Sequence, residues 1–287
     1  MPDLFLIEFK GNRRGYYNNA FYHSLEKGER VIVEAERGED MGLISQQIPE
    51  SVEVETEDKP LAILRPATPE DISYADTNAD AEKSALTRCE GLVAKHGLPM
   101  RLIDSEYQHD RNKLTFYFTS DNRVDFRALV RDLAAIYKTR IELRQIGVRD
   151  AAKRIGGFGV CGLQQCCTSF LKRFEPISTQ FAREQNLSLN PSKISGNCGR
   201  LLCCLTYEKQ HYMERLSKFP RQGEHFITDK GEGIIEAINI FEDYMLVKLP
   251  GGEMDKVTLT DIRKRERHKK SFFKNWRGKG EKKHPKE

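Results

Sequence analysis

With 287 residues, 38% of them hydrophobic, the chain holds enough apolar side chains for one large domain or two to three small ones, which excludes disorder along its whole length. No run of about 18 apolar residues occurs, and residues 1–10 form a short apolar stretch interrupted by Asp3 and Glu8 without a basic leader, so a soluble cytoplasmic protein with no membrane insertion is expected. The net charge of +4 conceals an imbalance: residues 263–287 carry twelve Lys or Arg against three acids, leaving a mildly acidic body.

The pattern predicts an α+β fold. Residues 1–57 read as a small β-rich unit, because apolar and β-branched runs at 4–9 and 31–34 are punctuated by Gly28, Gly38 and Gly42. A linker is expected at 53–60. Residues 61–150 then read as strand (61–64), helix (80–96), strand (100–107), strand (113–119), helix (125–137) and strand (140–146). Phe126, Leu129, Val130, Leu133 and Tyr137 share one helical face, while Leu114, Phe116 and Phe118 alternate as a half-buried strand should. This βαββαβ order is that of a ferredoxin-like sandwich, a fold name that implies neither iron nor function.

Residues 151–218 form a cysteine-rich segment ending in a helix. Short apolar runs at 219–262, broken by Gly231, Gly233 and Pro250-Gly251-Gly252, predict a small SH3-like β-barrel. The basic tail, 263–287, has two readings. One is a solvated, disordered segment. The other is an RNA-binding or acidic-partner-binding segment in which Phe273 and Trp276 stack while Lys269, Lys270, Lys274 and Arg277 neutralise phosphate.

Seven cysteines in a reducing compartment point to metal or redox chemistry more than to structural disulfides. Cys161-Gly162-Leu163-Gln164-Gln165-Cys166-Cys167 and Cys198-Gly199-Arg200-Leu201-Leu202-Cys203-Cys204 repeat one template. Gathering such soft, anionic thiolates is costly unless a cation compensates them. Cys167, Phe170, Leu171 and Phe174 fall on one helical face, as do Leu201, Cys204, Leu205, Tyr212 and Leu216. Cys167 and Cys204 are therefore expected to face a core, with Cys166 and Cys203 turned about 100° away. That leaves Cys161 with Cys166, and Cys198 with Cys203, as the ligand pairs. Four intervening residues match the first pair of plant-type ferredoxins better than the Cys-x-x-Cys of zinc ribbons, so the spacing favours iron–sulfur over structural zinc, with thiol-redox chemistry as a further alternative. Cys89, at helical spacing with Leu86, Leu92 and Val93, reads as a core thiol.

Gly157-Phe158-Gly159-Val160-Cys161-Gly162 satisfies the dinucleotide pattern Gly-x-Gly-x-x-Gly, but no βαβ unit surrounds it; the glycines are expected instead to bring backbone N–H groups close to a cluster. The histidines are scattered, and neither a Gly-x-Ser-x-Gly nor a Walker motif occurs, so no enzymatic activity is expected.

Three strings carry a family resemblance: Asp110-Arg111-Asn112-Lys113-Leu114-Thr115-Phe116-Tyr117-Phe118-Thr119, then Arg123-Val124-Asp125-Phe126-Arg127, then Arg140-Ile141-Glu142-Leu143-Arg144-Gln145-Ile146-Gly147-Val148-Arg149-Asp150. Together with the cysteine segment and Asn186-Leu187-Ser188-Leu189-Asn190-Pro191, the sequence resembles the RicT (YaaT) family, whose members carry the polymerase-suppressor C-terminal conserved region. The resemblance implies a regulatory subunit that binds [4Fe-4S] clusters, associates with small helical RicA-like and RicF-like proteins, and modulates RNase Y in messenger-RNA processing. It also implies cluster ligands drawn from Cys161, Cys166, Cys167, Cys198, Cys203 and Cys204, a wider set than the helix argument gives. A zinc-stabilised nucleic-acid-binding protein is the alternative.

Overall fold

Alternation decides the first layer: Phe5, Ile7 and Phe9 point one way from the first strand and meet Tyr17, Val31, Val33, Ile44 and Ile63 in a common core. In this computed structural model, which describes residues 3–49 and 59–264, that core fills a closed barrel. Its strands are β1 (Leu4–Glu8), β2 (Arg14–Asn18), β3 (Arg30–Glu34), β4 (Glu39–Ile48) and β5 (Leu61–Pro66), in the order β1-β2-β5-β3-β4. Gly42 sits where β4 crosses the core; a Cβ there would lie 2.2 Å from Ile7 Cγ2.

The expected sandwich over 61–150 is corrected at its first strand. β5 pairs in parallel with β2 and antiparallel with β3, and Ile63, opposite Val33, is fully buried in the barrel core. Period-two alternation says that a segment buries every second side chain but not in which sheet.

Helix α1 (Pro69–Lys95) begins eleven residues before the expected start. Thr68 is its N-cap: the Thr68 hydroxyl accepts from Asp71 N (3.3 Å) and the Asp71 carboxylate accepts from Thr68 N (2.8 Å), with Pro69 at the first helical position. Its buried positions, Asn78, Glu82, Ala85, Cys89 and Val93, keep helical spacing. Against them lie β6 (Arg101–Tyr107), β7 (Lys113–Thr119), α2 (Arg127–Tyr137) and β8 (Arg140–Gln145). Leu114, Phe116, Phe118, Leu129 and Leu133 fill this second core. The sheet has three strands in the order β6-β7-β8, with β7 antiparallel to β6 and parallel to β8 across the α2 crossover. The α+β character holds, but this is not the ferredoxin-like order. β8 occupies the side of β7 that the fold would give to the strand now in the barrel.

Helix α3 (Val148–Ile155) leads into the cysteine segment. The chain divides into two compact units, one containing Met1–Phe174 and Ser195–Arg200, the other Glu175–Ile194 and the residues from Leu201 onward. In the second, the short helices α4 (Thr179–Glu184), α5 (Pro191–Ile194), α6 (Cys204–Tyr207) and α7 (Lys209–Leu216) precede four strands. Ala182, Ile194 and Leu205 make a small core among the helices. β9 (His225–Thr228), β10 (Gly231–Asn239), β11 (Tyr244–Lys248) and β12 (Met254–Thr258) form an antiparallel meander over Ile235, Met245, Val247, Val257 and Ile262. Residues 219–262 were expected to close into an SH3-like barrel; they form an open four-stranded sheet, because each strand pairs with its neighbour in sequence and β9 and β12 remain edges. Lys269, Lys270, Phe273, Lys274, Trp276 and Arg277 of the basic tail lie outside the described residues.

A duplicated cysteine hairpin as candidate metal site

The approach to the cysteines is anchored by Arg154, in the last turn of α3. Its side chain is 7% exposed, donates to Asp104 (2.7 Å) and Glu106 (3.0 Å), and lies 3.4 Å over the Tyr117 ring. Gly11 makes room for it; a Cβ there would fall 2.5 Å from the guanidinium carbon. Lys10 (to Glu82, 2.7 Å, and Asp104, 2.9 Å) and Arg13 (to Asp40, 2.6 Å, and Glu106, 3.1 Å) complete a network of three cations and four carboxylates. Burial on its own would lower the Arg13 pKa, yet Glu106 and Asp40 together raise it, so the guanidinium stays charged. Burial, reinforced by Glu106, pushes the Tyr117 hydroxyl up to about 12.

Beyond α3 the backbone passes through two consecutive positive-φ glycines, Gly156 (φ 74°) and Gly157 (φ 123°). A tight hairpin follows. Gly159 N donates to Leu163 O (2.8 Å) and Gly162 N to Gly159 O (3.0 Å), with Gly162 left-handed at φ 78°, the three-residue loop that needs a glycine in its last position. Gln165 N closes on Gly157 O (3.1 Å) and Thr168 N on Gln165 O (3.0 Å). Every one of these bonds recurs 37 residues later: Gly196 N to Arg200 O (2.8 Å), Gly199 N to Gly196 O (2.9 Å), Leu202 N to Ile194 O (2.8 Å) and Leu205 N to Leu202 O (3.2 Å), with Gly199 at φ 73°. The sequence repeat is thus a backbone repeat. Cys161 and Cys198 occupy the same tip position, and each vicinal pair follows the hairpin at the same distance.

Within the first unit, Asn197 Nδ2 donates to Phe158 O (2.8 Å), tying the tip of the second hairpin to the first. Phe174, after the first vicinal pair, is covered by Arg149 (4.3 Å) and Lys153 (5.1 Å) of α3. The dinucleotide pattern lies wholly in this turn. The N–H groups of Gly159 and Gly162, expected to approach cluster sulfurs, are used inside the hairpin.

Cys161 is exposed, Cys166, Cys198, Cys203 and Cys204 are half-buried, and Cys167 is buried with its Sγ 3.9 Å from Gln165 Oε1. The helix expected from Cys167 to Phe174 does not form: Leu171 N reaches back to Cys166 O (2.8 Å), five residues away, and the chain then runs irregularly to α4. In the second copy α6 starts at Cys204, and the neighbouring Leu205, rather than Cys204, enters the core. Among the described residues, no three Cys, His, Asp or Glu side chains are grouped as they would be around a metal ion. The donor set nonetheless suits a soft metal centre, since all six side chains are thiols, with Cys161 and Cys198 at equivalent hairpin tips. Cys89 is a fully buried core thiol whose pKa burial pushes up to about 12. Sequence reasoning missed Arg154 and Asn197. For Arg154, the one signal the sequence offers is Gly11, whose missing Cβ leaves room for the guanidinium.

Comparison with known proteins places this architecture. Residues 61–146 match the PSP1 C-terminal conserved region, and residues 176–219 match the third domain of PSP1-like proteins. Over 252 residues the chain is 45% identical to the Stage 0 sporulation protein YaaT of Bacillus subtilis, spanning 87% of this chain and 90% of that one. The chain belongs to the YaaT family. More distant likenesses are partial: 36% identity over 168 residues (48% of this chain, 22% of the relative) to an uncharacterized protein of Schizosaccharomyces pombe, and 37% over 73 residues (25% and 9%) to Protein PSP1 of Saccharomyces cerevisiae. No solved structure matches the chain. The first matched region starts at β5, so the part shared with PSP1 includes one barrel strand as well as the whole β6-β7-β8 sheet. Among the described residues no helix is long and apolar enough to cross a membrane.

Proposed function

We propose that this YaaT-family protein is a non-enzymatic regulatory subunit in which cysteines from Cys161, Cys166, Cys167, Cys198, Cys203 and Cys204 hold a [4Fe-4S] cluster. Through small helical partners of the RicA and RicF type, the subunit modulates RNase Y-dependent maturation of messenger RNA in the cytoplasm. The observation that carries the reading is the duplicated hairpin: two turns with the same four backbone hydrogen bonds present Cys161 and Cys198 at equivalent tips, each followed by a vicinal pair. Such duplication of thiol-bearing turns supports metal ligation over isolated redox cysteines. The similarity to a Bacillus sporulation protein supports a regulatory role.

Anaerobic purification of the full chain tests the reading. Bound iron and sulfide with a brown colour support it. A colourless protein with stoichiometric zinc transfers the hairpins to a structural role and makes the zinc-stabilised nucleic-acid-binding alternative the better account.

A further inference from the structure

The sheet β6-β7-β8 ends on an unprotected strand. β8 pairs with β7 along one side, and among the described residues none of its backbone groups from Arg140 to Arg144 is hydrogen-bonded on the other. A groove of about 970 Å³ follows that free side, lined by Phe126, Val130 and Arg131 and by Ile141, Glu142 and Leu143. Consecutive strand residues point to opposite faces. A groove that touches residues 141, 142 and 143 together therefore runs along the strand's edge, not over one face of the sheet. Soluble proteins usually blunt or cover such edges, because their free N–H and C=O groups template pairing with another chain.

The charges around this edge select the occupant. Asp125 is taken by Arg127 (2.6 Å) and Glu142 lies 3.7 Å from Lys113. Arg123, Arg131, Arg140 and Arg144 are exposed, and among the described residues none of them has an ion-pair partner. Arg140 and Arg144 share a face of β8, while Ile141 and Leu143 point to the other, into the half-buried apolar margin of the core. An antiparallel pairing of two copies of this chain centred on Glu142 would set Arg140 opposite Arg144, a like-charge contact that disfavours self-association through this edge.

We propose that the β8 edge docks an extended acidic segment of a partner protein, which adds to the sheet as a fourth strand. Its alternate apolar side chains enter the groove beside Phe126, Ile141 and Leu143, and its intervening carboxylates meet Arg140 and Arg144. Main-chain hydrogen bonds supply the affinity of such strand addition, and the alternate side chains supply its selectivity. The site is separate from the cysteine hairpins and does not depend on their metal.

The test uses the full chain and a fluorescent, N-acetylated seven-residue peptide of alternating glutamate and valine, followed by anisotropy. Saturable binding is expected. It should weaken roughly tenfold or more in the double variant R140E/R144E, and separately in R131E, all three positions being exposed and the variants checked for native circular dichroism. N-methylation of alternate residues, which removes the N–H groups facing β8, should abolish it. Absence of binding, or binding indifferent to N-methylation and to R140E/R144E, overturns the proposal. A seven-nucleotide oligouridylate that binds in place of the peptide, and is lost in the same double variant, would assign the arginines to RNA. A dimer in sedimentation that R140E/R144E abolishes would assign the edge to self-association.

Discussion

Asn197 donates its side-chain amide to the backbone carbonyl of Phe158 at 2.8 Å, and through that bond the two cysteine hairpins of the first unit become neighbours. One exposed neutral hydrogen bond contributes only about 0.5–1.5 kcal/mol to stability. Its geometric consequence is larger than its energy. N197L should therefore leave the urea midpoint nearly unchanged while lowering the iron or zinc retained after anaerobic purification; N197L retaining full metal would show that the hairpins find each other without it.

Arg154 is the opposite case, a residue with little chemistry of its own and a large share of stability. R154M leaves Asp104 and Glu106 facing each other with one cation fewer in a half-dry network, for which a loss of about 3–5 kcal/mol is expected. R154K should recover part of this, because an ammonium keeps the charge but lacks the planar face and fixed fork with which the guanidinium stacks on Tyr117 while donating to both carboxylates. Urea titrations of the three proteins measure it.

Gly162 and Gly199 provide a matched pair. A Cβ at either would meet nothing within 4 Å, so alanine there costs only what the left-handed backbone imposes, about 1–2 kcal/mol. Equal destabilisation by G162A and G199A, and smaller effects of G162N and G199N, are expected in thermal melts. A clearly unequal pair would mean that the two turns are not equivalent in solution.

The cysteines separate by access and by proposed role. Alkylation of the metal-free protein at pH 8 should label the exposed Cys161 first and Cys89 last, since Cys89 is buried and its thiol ionises only near 12. C161S, C166S, C198S and C203S should each cut metal content, whereas C167A and C89A should cost mainly packing, about 1–3 kcal/mol, in the isolated chain. Equal metal loss at Cys166 and Cys167 would enlist the vicinal thiol as a ligand.

The start of α1 makes stability depend on acid. Asp71, bound by Arg65 and by the Thr68 amide, has its pKa held well below the usual carboxylate range. A depressed folded-state value contributes stability that is present above the unfolded value of about 3.9 and is lost as pH falls through the folded one. D71N should consequently be destabilised by about 1 kcal/mol or more at neutral pH and converge on the wild type as the pH drops below 4. Denaturation series at pH 7 and pH 3 compare them.

Residues whose partners are near in sequence were legible. β7 was read to the residue, and α2 and β6 to within two, because their own alternation or helical stripe carries the information. The first half of α1 was not, since residues 69–79 are too polar to show a stripe; its signature is the cap at its very start, Thr68-Pro69-Glu70-Asp71. Membership of β5 in the barrel was illegible for a different reason: the register Tyr17↔Leu61 joins residues 44 apart, and local periodicity does not encode a partner. The cysteine repeat was visible as spacing, while its geometry was misread as helical. Gly162 and Gly199, in the left-handed position of each turn, were the better guide.

Because the turn is closed by main-chain atoms alone, its two copies are free to differ in everything they display. At the first, Phe158, Val160 and Leu163 are about 70% exposed, whereas the equivalent positions of the second are Ser195, Asn197 and Arg200. The bias reverses in the following turn, where Thr168 stands in the first copy and the buried Leu205 in the second. One loop geometry thus serves two ends, apolar display in the first copy and internal packing in the second, on the same cysteine frame.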